Sequence, residues 1–441
     1  METIFIKSPL RAQKEKIMNP FKEKVSTPES FISTFKDLYP KAYDKNEVDP
    51  YTKTRIILAA GAEWEANWFS HQMHRNISNL DLRRDIALVR FLEKQQQQKI
   101  VNLKPVDETV LETTISYEQL AVDLTAEMAK KEKDFNVKKA LDFALLEDFD
   151  HLYRYSNLLD MDYGVHAERL VGAYTEITPA RPTVRHHRHP ADNVKKCING
   201  KKASTQTVLN TMIITAAEQQ TMNYYMNQSA FYINDLGRKL FEEICLVEEE
   251  HVTQYGALID TSPDWLECNL WHEYTECFVY WSNYMTETDK NIKKLWEHFF
   301  QMEVAHLHSA VELLRKYSKK DYNEVILDPE FPDPLSLHSN IDYVKEIIAN
   351  TVQYTGDSED YKDVSSLPET HRFFEYNKMV NTPIEQMASH KTIKEYISKN
   401  GSDYRFETSE NPVEALRPRS KDNVDVGFKP NVAKSTKFKP N

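Results

Sequence analysis

Four times along this chain a lone glutamate is followed 30 residues later by an acid and 33 residues later by histidine or glutamine. Glu63 precedes Glu93 and Gln96, Glu118 precedes Asp148 and His151, Glu218 precedes Glu248 and His251, and Glu273 precedes Glu303 and His306. An acid and a histidine three apart share one helix face, so a carboxylate and an imidazole can reach the same ion. Alone, such a pair says little, because a chain of this composition contains about one Glu-x-x-His by chance. The interval is more informative: two half-helices of about 13 residues and a short turn set the lone glutamate level with the acid-x-x-His on an antiparallel neighbour. Two such hairpins face to face would surround one centre with four carboxylates and two imidazoles. That oxygen and nitrogen donor set suits two divalent ions and favours iron or manganese over thiol-seeking metals. The competing reading is a salt-linked polar core, but four acids buried without metal would have raised pKa values and cost several kcal/mol.

The pattern is itself duplicated. A shift of 155 residues carries Glu218, Glu248, His251, Glu273, Glu303 and His306 onto Glu63, Glu93, Gln96, Glu118, Asp148 and His151. Neighbouring residues follow: Ala62-Glu63 matches Ala217-Glu218, and His151-Leu152 with Leu158-Leu159 matches His306-Leu307 with Leu313-Leu314. Such self-similarity implies a gene duplication whose copies form separate bundles or pack on each other. The preferred arrangement pairs the hairpins within each copy, which places both substitutions, Gln96 and Asp148, in one site and leaves the other complete. The alternative sets Glu118, Asp148 and His151 against Glu218, Glu248 and His251, and Glu63, Glu93 and Gln96 against Glu273, Glu303 and His306.

The elements that must position these residues are helices. Helical periodicity runs through 51–78, 80–101, 108–131, 134–160, 204–228, 232–259, 264–287 and 289–317, with breaks at Asn79, Pro105, Asp134, Asn234, Pro263 with Asp264, and Asp289. The chain has 441 residues, 40% of them apolar, and only nine glycines, as expected of a helical globular protein with two or more cores. The predicted organisation is an N-terminal arm (1–50), a degenerate repeat (51–160), a basic connector (161–203), a repeat with the full ligand set (204–317) and a C-terminal extension (318–441). In that extension 340–354 and 383–399 read as modest helices, and the last 35 or so residues as disordered. The connector, with Arg181, Arg185, His186, His187, Arg188 and His189, reads first as a solvated linker. Its functional reading is a clamp for an anionic substrate or carrier, or a lid over a pocket.

Net charge of −12 argues against a general nucleic-acid binder. Cys197, Cys245, Cys268 and Cys277 form no CxxC pair, which argues against a zinc ribbon or a rubredoxin-type iron site. The chain meets charge at once, and no run approaches a signal or membrane-spanning segment, so a cytoplasmic protein without membrane association is expected.

With the lone glutamate and the Glu-x-x-His of two helix pairs, residues 51–317 resemble the ferritin-like di-iron carboxylate superfamily. The resemblance implies an all-α fold of two tandem four-helix bundles. It implies metal ligands Glu218, Glu248, His251, Glu273, Glu303 and His306, with Glu276 as a further carboxylate. A degenerate or cross-copy site would use Glu63, Glu93, Glu118, Asp148 and His151. It implies two iron ions, or manganese, and an oxidase or oxygenase that uses O2, an organic small molecule and an external electron donor; a homo-oligomer is compatible with it. A ferroxidase, peroxidase or storage protein is the alternative within the superfamily, and a helical scaffold with structural metal or none is the alternative outside it. Tyr224, Tyr225, Trp271, Tyr280 and Trp281 are candidates to line a pocket, although ordinary core is the simpler role for each. One departure stands out: superfamily bundles have a long link between their second and third helices, whereas 22 residues separate His251 from Glu273, and Gln96 from Glu118.

Overall fold

The computed structural model describes residues 18–405, and they are mainly helical. Eight long helices form four antiparallel hairpins: α1 (Pro50–Asn76) with α2 (Leu80–Val101), α3 (Val110–Lys131) with α4 (Phe135–Tyr163), α6 (Thr205–Phe231) with α7 (Asp235–Gly256), and α8 (Trp265–Thr286) with α9 (Lys290–Leu313). Their starts are fixed by side chains that accept hydrogen bonds from otherwise orphaned backbone N–H groups. Asn79, Asp134, Asn234, Asp264 and Asp289 do so as expected from sequence, joined by Asp49, Thr109 and Ser204. Thr109 with Glu112, and Asp264 with Glu267, form reciprocal capping boxes.

The hairpins do not pair within each copy. The middle two in sequence, α3–α4 and α6–α7, pack together as an inner bundle, and the first and last, α1–α2 and α8–α9, pack together as an outer one. Residues 51–160 and 204–317 are therefore not two self-contained bundles: each gives one hairpin to each bundle. The bundles meet along α1 and α6, where Gly61 lies against Ala216 and Gln220. A Cβ on Gly61 would stand 2.5 Å from Gln220 Oε1 and 3.5 Å from the Ala216 carbonyl, so an alanine there would displace the end of the Gln220 side chain but not the helix backbone.

The pairing has a visible cause. Glu132, at the α3–α4 turn, accepts from Lys133 N and Asp134 N in its own turn and from Thr207 Oγ1 and Asn210 Nδ2 at the start of α6. Glu287, at the α8–α9 turn, does the same with Thr288 N and Asp289 N, and reaches across to Thr52 Oγ1 and Arg55 at the start of α1, with Trp296 Nε1 adding a further donor. The two clasps occupy equivalent positions of the duplication, and each ties a hairpin of one copy to the first helix of the other.

The connector is not a solvated linker. It holds one short helix, α5 (Glu168–Val171), and beyond it Arg181, Arg185, His186, His187 and Arg188 are all buried. The reason is pairing: Arg188 bonds Glu147 on α4 and Glu250 on α7, and Arg181 donates to the Tyr354 and Arg185 carbonyls. The C-terminal region is also ordered as far as residue 405, with α10 (Ile341–Thr351), strands β1 (Tyr354–Asp357) and β2 (Asp360–Asp363), α11 (Arg372–Val380) and α12 (Ala388–Asn400). α10 packs on α4, and α12 on α4 and α7. The tail expected to be disordered, 406–441, and the first 17 residues lie outside the described residues. No described helix is long and apolar enough to cross a membrane.

The clasps differ in what they leave behind when broken. Glu287→Ala strands the buried Arg55 guanidinium and is expected to cost about 3–5 kcal/mol. Glu132→Ala strands only neutral donors and is expected to cost about 1–3 kcal/mol. Urea unfolding of the two variants measures both, and equal or reversed losses would contradict this account.

Candidate metal centres

The inner bundle brings Glu118 from α3, Asp148 and His151 from α4, Glu218 from α6, and Glu248 and His251 from α7 into one buried cluster. His151 Nδ1 lies 3.0 Å from Glu248 Oε1. His251 Nδ1 faces three carboxylates at once, at 3.0 Å from Glu248 Oε2, 3.4 Å from Asp148 Oδ1 and 3.8 Å from Glu218 Oε2. Donor atoms of Asp148, Glu218, Glu248 and His251 all lie within 4.8 Å of one another, as do those of Glu118, His151 and Glu248. Both oxygens of Asp148 and of Glu218, together with Glu118 Oε2, Glu248 Oε2 and His251 Nδ1, are buried and have no hydrogen-bond partner among the described residues. Groups of this kind are almost always satisfied inside proteins, and cations shared within the two groups would satisfy them.

A further shell holds the imidazole in place. His251 Nε2 donates to Glu147 Oε2 at 2.7 Å, Glu147 Oε1 accepts from Arg188 Nη1 at 2.7 Å, and the same guanidinium meets Glu250 at 2.9 Å. In the neutral ring, donation from Nε2 would leave the Nδ1 lone pair aimed into the cluster, the arrangement that orients metal-binding histidines. On the opposite side Tyr225 OH donates to Glu118 Oε1. The buried ring of His186, from the connector, stands 5.7 Å from that of His151.

The outer bundle gathers Glu63, Glu93, Gln96, Glu273, Glu303 and His306 in the equivalent place. His306 Nδ1 is 3.2 Å from Glu303 Oε2 and 4.0 Å from Glu273 Oε2. At the other histidine position Gln96 Nε2 donates to Glu303 Oε1 at 2.7 Å, and Tyr280 OH donates to Glu63 Oε1 as Tyr225 does to Glu118. The six ligands expected to form a single centre are thus divided: Glu218, Glu248 and His251 belong to the inner cluster, and Glu273, Glu303 and His306 to the outer. Each cluster carries one of the two substitutions. In the inner cluster Asp148 keeps a carboxylate where Glu would stand, so four acids and two imidazoles are present.

Several neighbours were not singled out in the sequence. Glu147 precedes a candidate ligand without any spacing of its own, and Arg188 and His186 were visible only as a basic run. His272 lies one helical turn before Glu276, a signal that was available. Of the aromatic candidates, Tyr225 and Tyr280 touch the clusters, Tyr224 OH donates to the Val110 carbonyl, and Trp271 and Trp281 are core. No family model, curated protein or solved structure matches this chain.

Burial dominates the electrostatics. It pushes Glu218 up to about 7 and Glu273 up to about 8, and raises Glu118 and Asp148 well above the ordinary carboxylate range, with neighbouring acids adding to the effect. Burial alone would also raise Glu248, but the imidazoles of His251 and His151 hold it well below its usual value. Burial would depress His306, yet Glu303 and Glu273 outweigh it and raise it to about 10.

A carboxyl group whose pKa is raised on folding stabilises the folded chain fully below its ordinary value and ceases to do so as pH climbs through the raised one. For Glu218 and Glu273 that window runs from 4.5 to about 7 and about 8. His306, raised from 6.5 to about 10, acts in the same direction at higher pH. The metal-free protein is therefore expected to melt at falling temperature across this interval, and added Mn2+ to offset most of the fall. Thermal melts with a chelator present check this; a melting temperature that holds steady or rises would contradict it.

Proposed function

We propose that this protein is a non-haem di-iron oxidase or oxygenase of ferritin-like build, with its working centre in the inner bundle. The observation that carries the reading is the buried cluster of four carboxylates and two imidazoles, in which both oxygens of Asp148 and Glu218 and His251 Nδ1 have no hydrogen-bond partner among the described residues. Its donors are oxygen and imidazole nitrogen, a set that suits iron, with manganese as the other fitting occupant. The superfamily comparison also becomes easier with the observed pairing. The long link expected between second and third helices is the connector from α4 to α6 in the inner bundle, and in the outer bundle it is everything between α2 and α8.

In this reading Glu118, Asp148, His151, Glu218, Glu248 and His251 hold the metal. Bound iron in its reduced state would supply the electrons for reducing O2. The protein's part is to bind, orient and exclude water. Glu147, held by Arg188, fixes the tautomer of His251. Tyr225 holds a phenolic proton on Glu118 Oε1. The connector and α12 cover α4 and α7 and keep solvent out, which strengthens every electrostatic contact inside. A cleft of about 580 Å³, lined in part by His187, Leu246, Glu250, Tyr376 and Met387, reaches the outer end of the Glu250–Arg188–Glu147 chain and is of a size for an organic small molecule. Electrons for further turnovers would come from an external donor.

The reading is tested by loading the full chain with Fe(II) without oxygen and then following O2 uptake in the presence of a chemical reductant. The wild type is expected to consume O2 and the His151→Ala, His251→Ala double variant to lose that activity. Loss of uptake in neither, or no uptake in the loaded wild type, would overturn it. Iron accumulation far beyond about two ions per bundle would replace it with storage. Glu147→Gln is expected to weaken metal binding at the inner centre by about 10–100-fold, as measured by chelator competition.

A further inference from the structure

We propose that the outer bundle holds a second, asymmetric metal centre in which His272 supplies the imidazole that Gln96 lacks. One divalent first-row cation would sit on Glu93, Glu273 and His306, and another on Glu93, His272 and Glu276, with Glu93 common to both. This rests on the inner bundle being a metal centre only by comparison of the two, since the residues concerned are different.

Three observations carry it. Donor atoms of Glu93, Glu273 and His306 lie within 4.8 Å of one another, and so do those of Glu93, His272 and Glu276. Inside this buried group Glu93 Oε2, Glu273 Oε2, Glu276 Oε1 and His306 Nε2 have no hydrogen-bond partner among the described residues. Among the described residues the ion-pair partners of Glu273, Glu276 and Glu303 are the imidazoles of His272 and His306, not lysine or arginine.

The second observation concerns the duplication. His272 Nδ1 lies 3.1 Å from Glu65 and its Nε2 3.3 Å from Glu276 Oε2. At the equivalent positions of the inner bundle, 155 residues away, stand Tyr117 and Gln220, joined by a neutral hydrogen bond, and Ala121 replaces Glu276. The outer bundle has therefore lost an imidazole at Gln96 and gained, only there, a Glu65–His272–Glu276 chain that enters the same cluster from α8. A structural polar core has no need of the exchange. A metal centre displaced away from Gln96 and towards α8 does, because a carboxylate outside the imidazole, Glu65, then fixes the tautomer as Glu147 does for His251.

The third is space beside the ligands. A cavity of about 50 Å³, otherwise mostly apolar, is lined by Glu65, His272 and Glu276 together with Ala62, Ile213 and Val279. Its His272 and Glu276 lining places this space beside the second proposed ion, and none of the inner cluster's residues borders it.

The experiment is Mn2+ titration of the full, metal-stripped chain, counting bound ions from the loss of the free Mn2+ electron paramagnetic resonance signal. Helical circular dichroism and a cooperative melt establish that each variant is folded, and glutamine substitutions keep the shape of the site. The wild type is expected to bind about four ions and the His151→Ala, His251→Ala variant about two. In that background His272→Gln with Glu276→Gln should leave about one, and adding His306→Gln should leave none. A folded inner-centre variant that binds no Mn2+, or one whose binding is unchanged by His272→Gln with Glu276→Gln, overturns the proposal. If instead the wild type and the inner-centre variant bind the same number, and the His272 and Glu276 substitutions remove ions from both, this proposal stands and the inner-centre reading fails.

Discussion

The structure turns on two carboxylates that bind nothing but the protein itself. Glu132 and Glu287 each cap a hairpin turn and accept hydrogen bonds from the opening residues of a helix in the other copy. Each side chain is nearly inaccessible, so its charge is tolerable only while these donors remain in place. This makes the contact specific: a hairpin that turned towards its own copy would leave a buried carboxylate unsatisfied and a cap half made. The identity of the bundles, and with it the membership of each cluster, follows from where those two acids find their donors.

Once the hairpins are exchanged, the polar interiors become intelligible. Both clusters sit where four helices converge, and both repeat one motif, a tyrosine seven residues after the lone glutamate of the later copy bonding the lone glutamate of the earlier one. They diverge in surroundings. The inner cluster is flanked by arginine, through Arg188 on Glu147 and Glu250, which offsets negative charge beside the site without entering it. The outer cluster has imidazoles and a fifth acid instead. Duplicated halves under the same geometric plan have thus been tuned by different neighbours, a difference of chemistry with little difference of fold.

Much of this was legible in the sequence. The eight helices and most of their caps follow from periodicity and from Asn or Asp at the breaks, because those signals are local and depend on no distant partner. The spacing of 30 and 33 likewise identifies the cluster residues, since it is a property of single hairpins. Which hairpin faces which is a long-range property. Within-copy pairing concentrates Gln96 and Asp148 in one place, but residue identities of that kind carry no information about the turns. The short 22-residue links held the contrary signal, and so did Glu132 and Glu287, which recur at the duplication interval just before their caps. The connector misleads for a similar reason: arginines and histidines in a Pro-broken run look solvated until the acids that pair them, here Glu147 and Glu250, are brought close by folding.

The exchanged hairpins are nested, the middle pair enclosed in sequence by the first and last. During synthesis the inner bundle has all its helices once residue 256 has emerged, whereas α1 and α2 must wait for α8 and α9. At translation rates of 5–20 residues per second the wait is roughly 10 to 40 s. Through that interval Glu63 and Glu93 have no opposite hairpin, and closing the loop that joins them to their partners costs chain entropy unless something already holds the ends near. The contacts of α1 with α3 and α6 offer such a hold. The outer bundle is accordingly completed after the four helices of the inner one, upon which it can assemble as on a template.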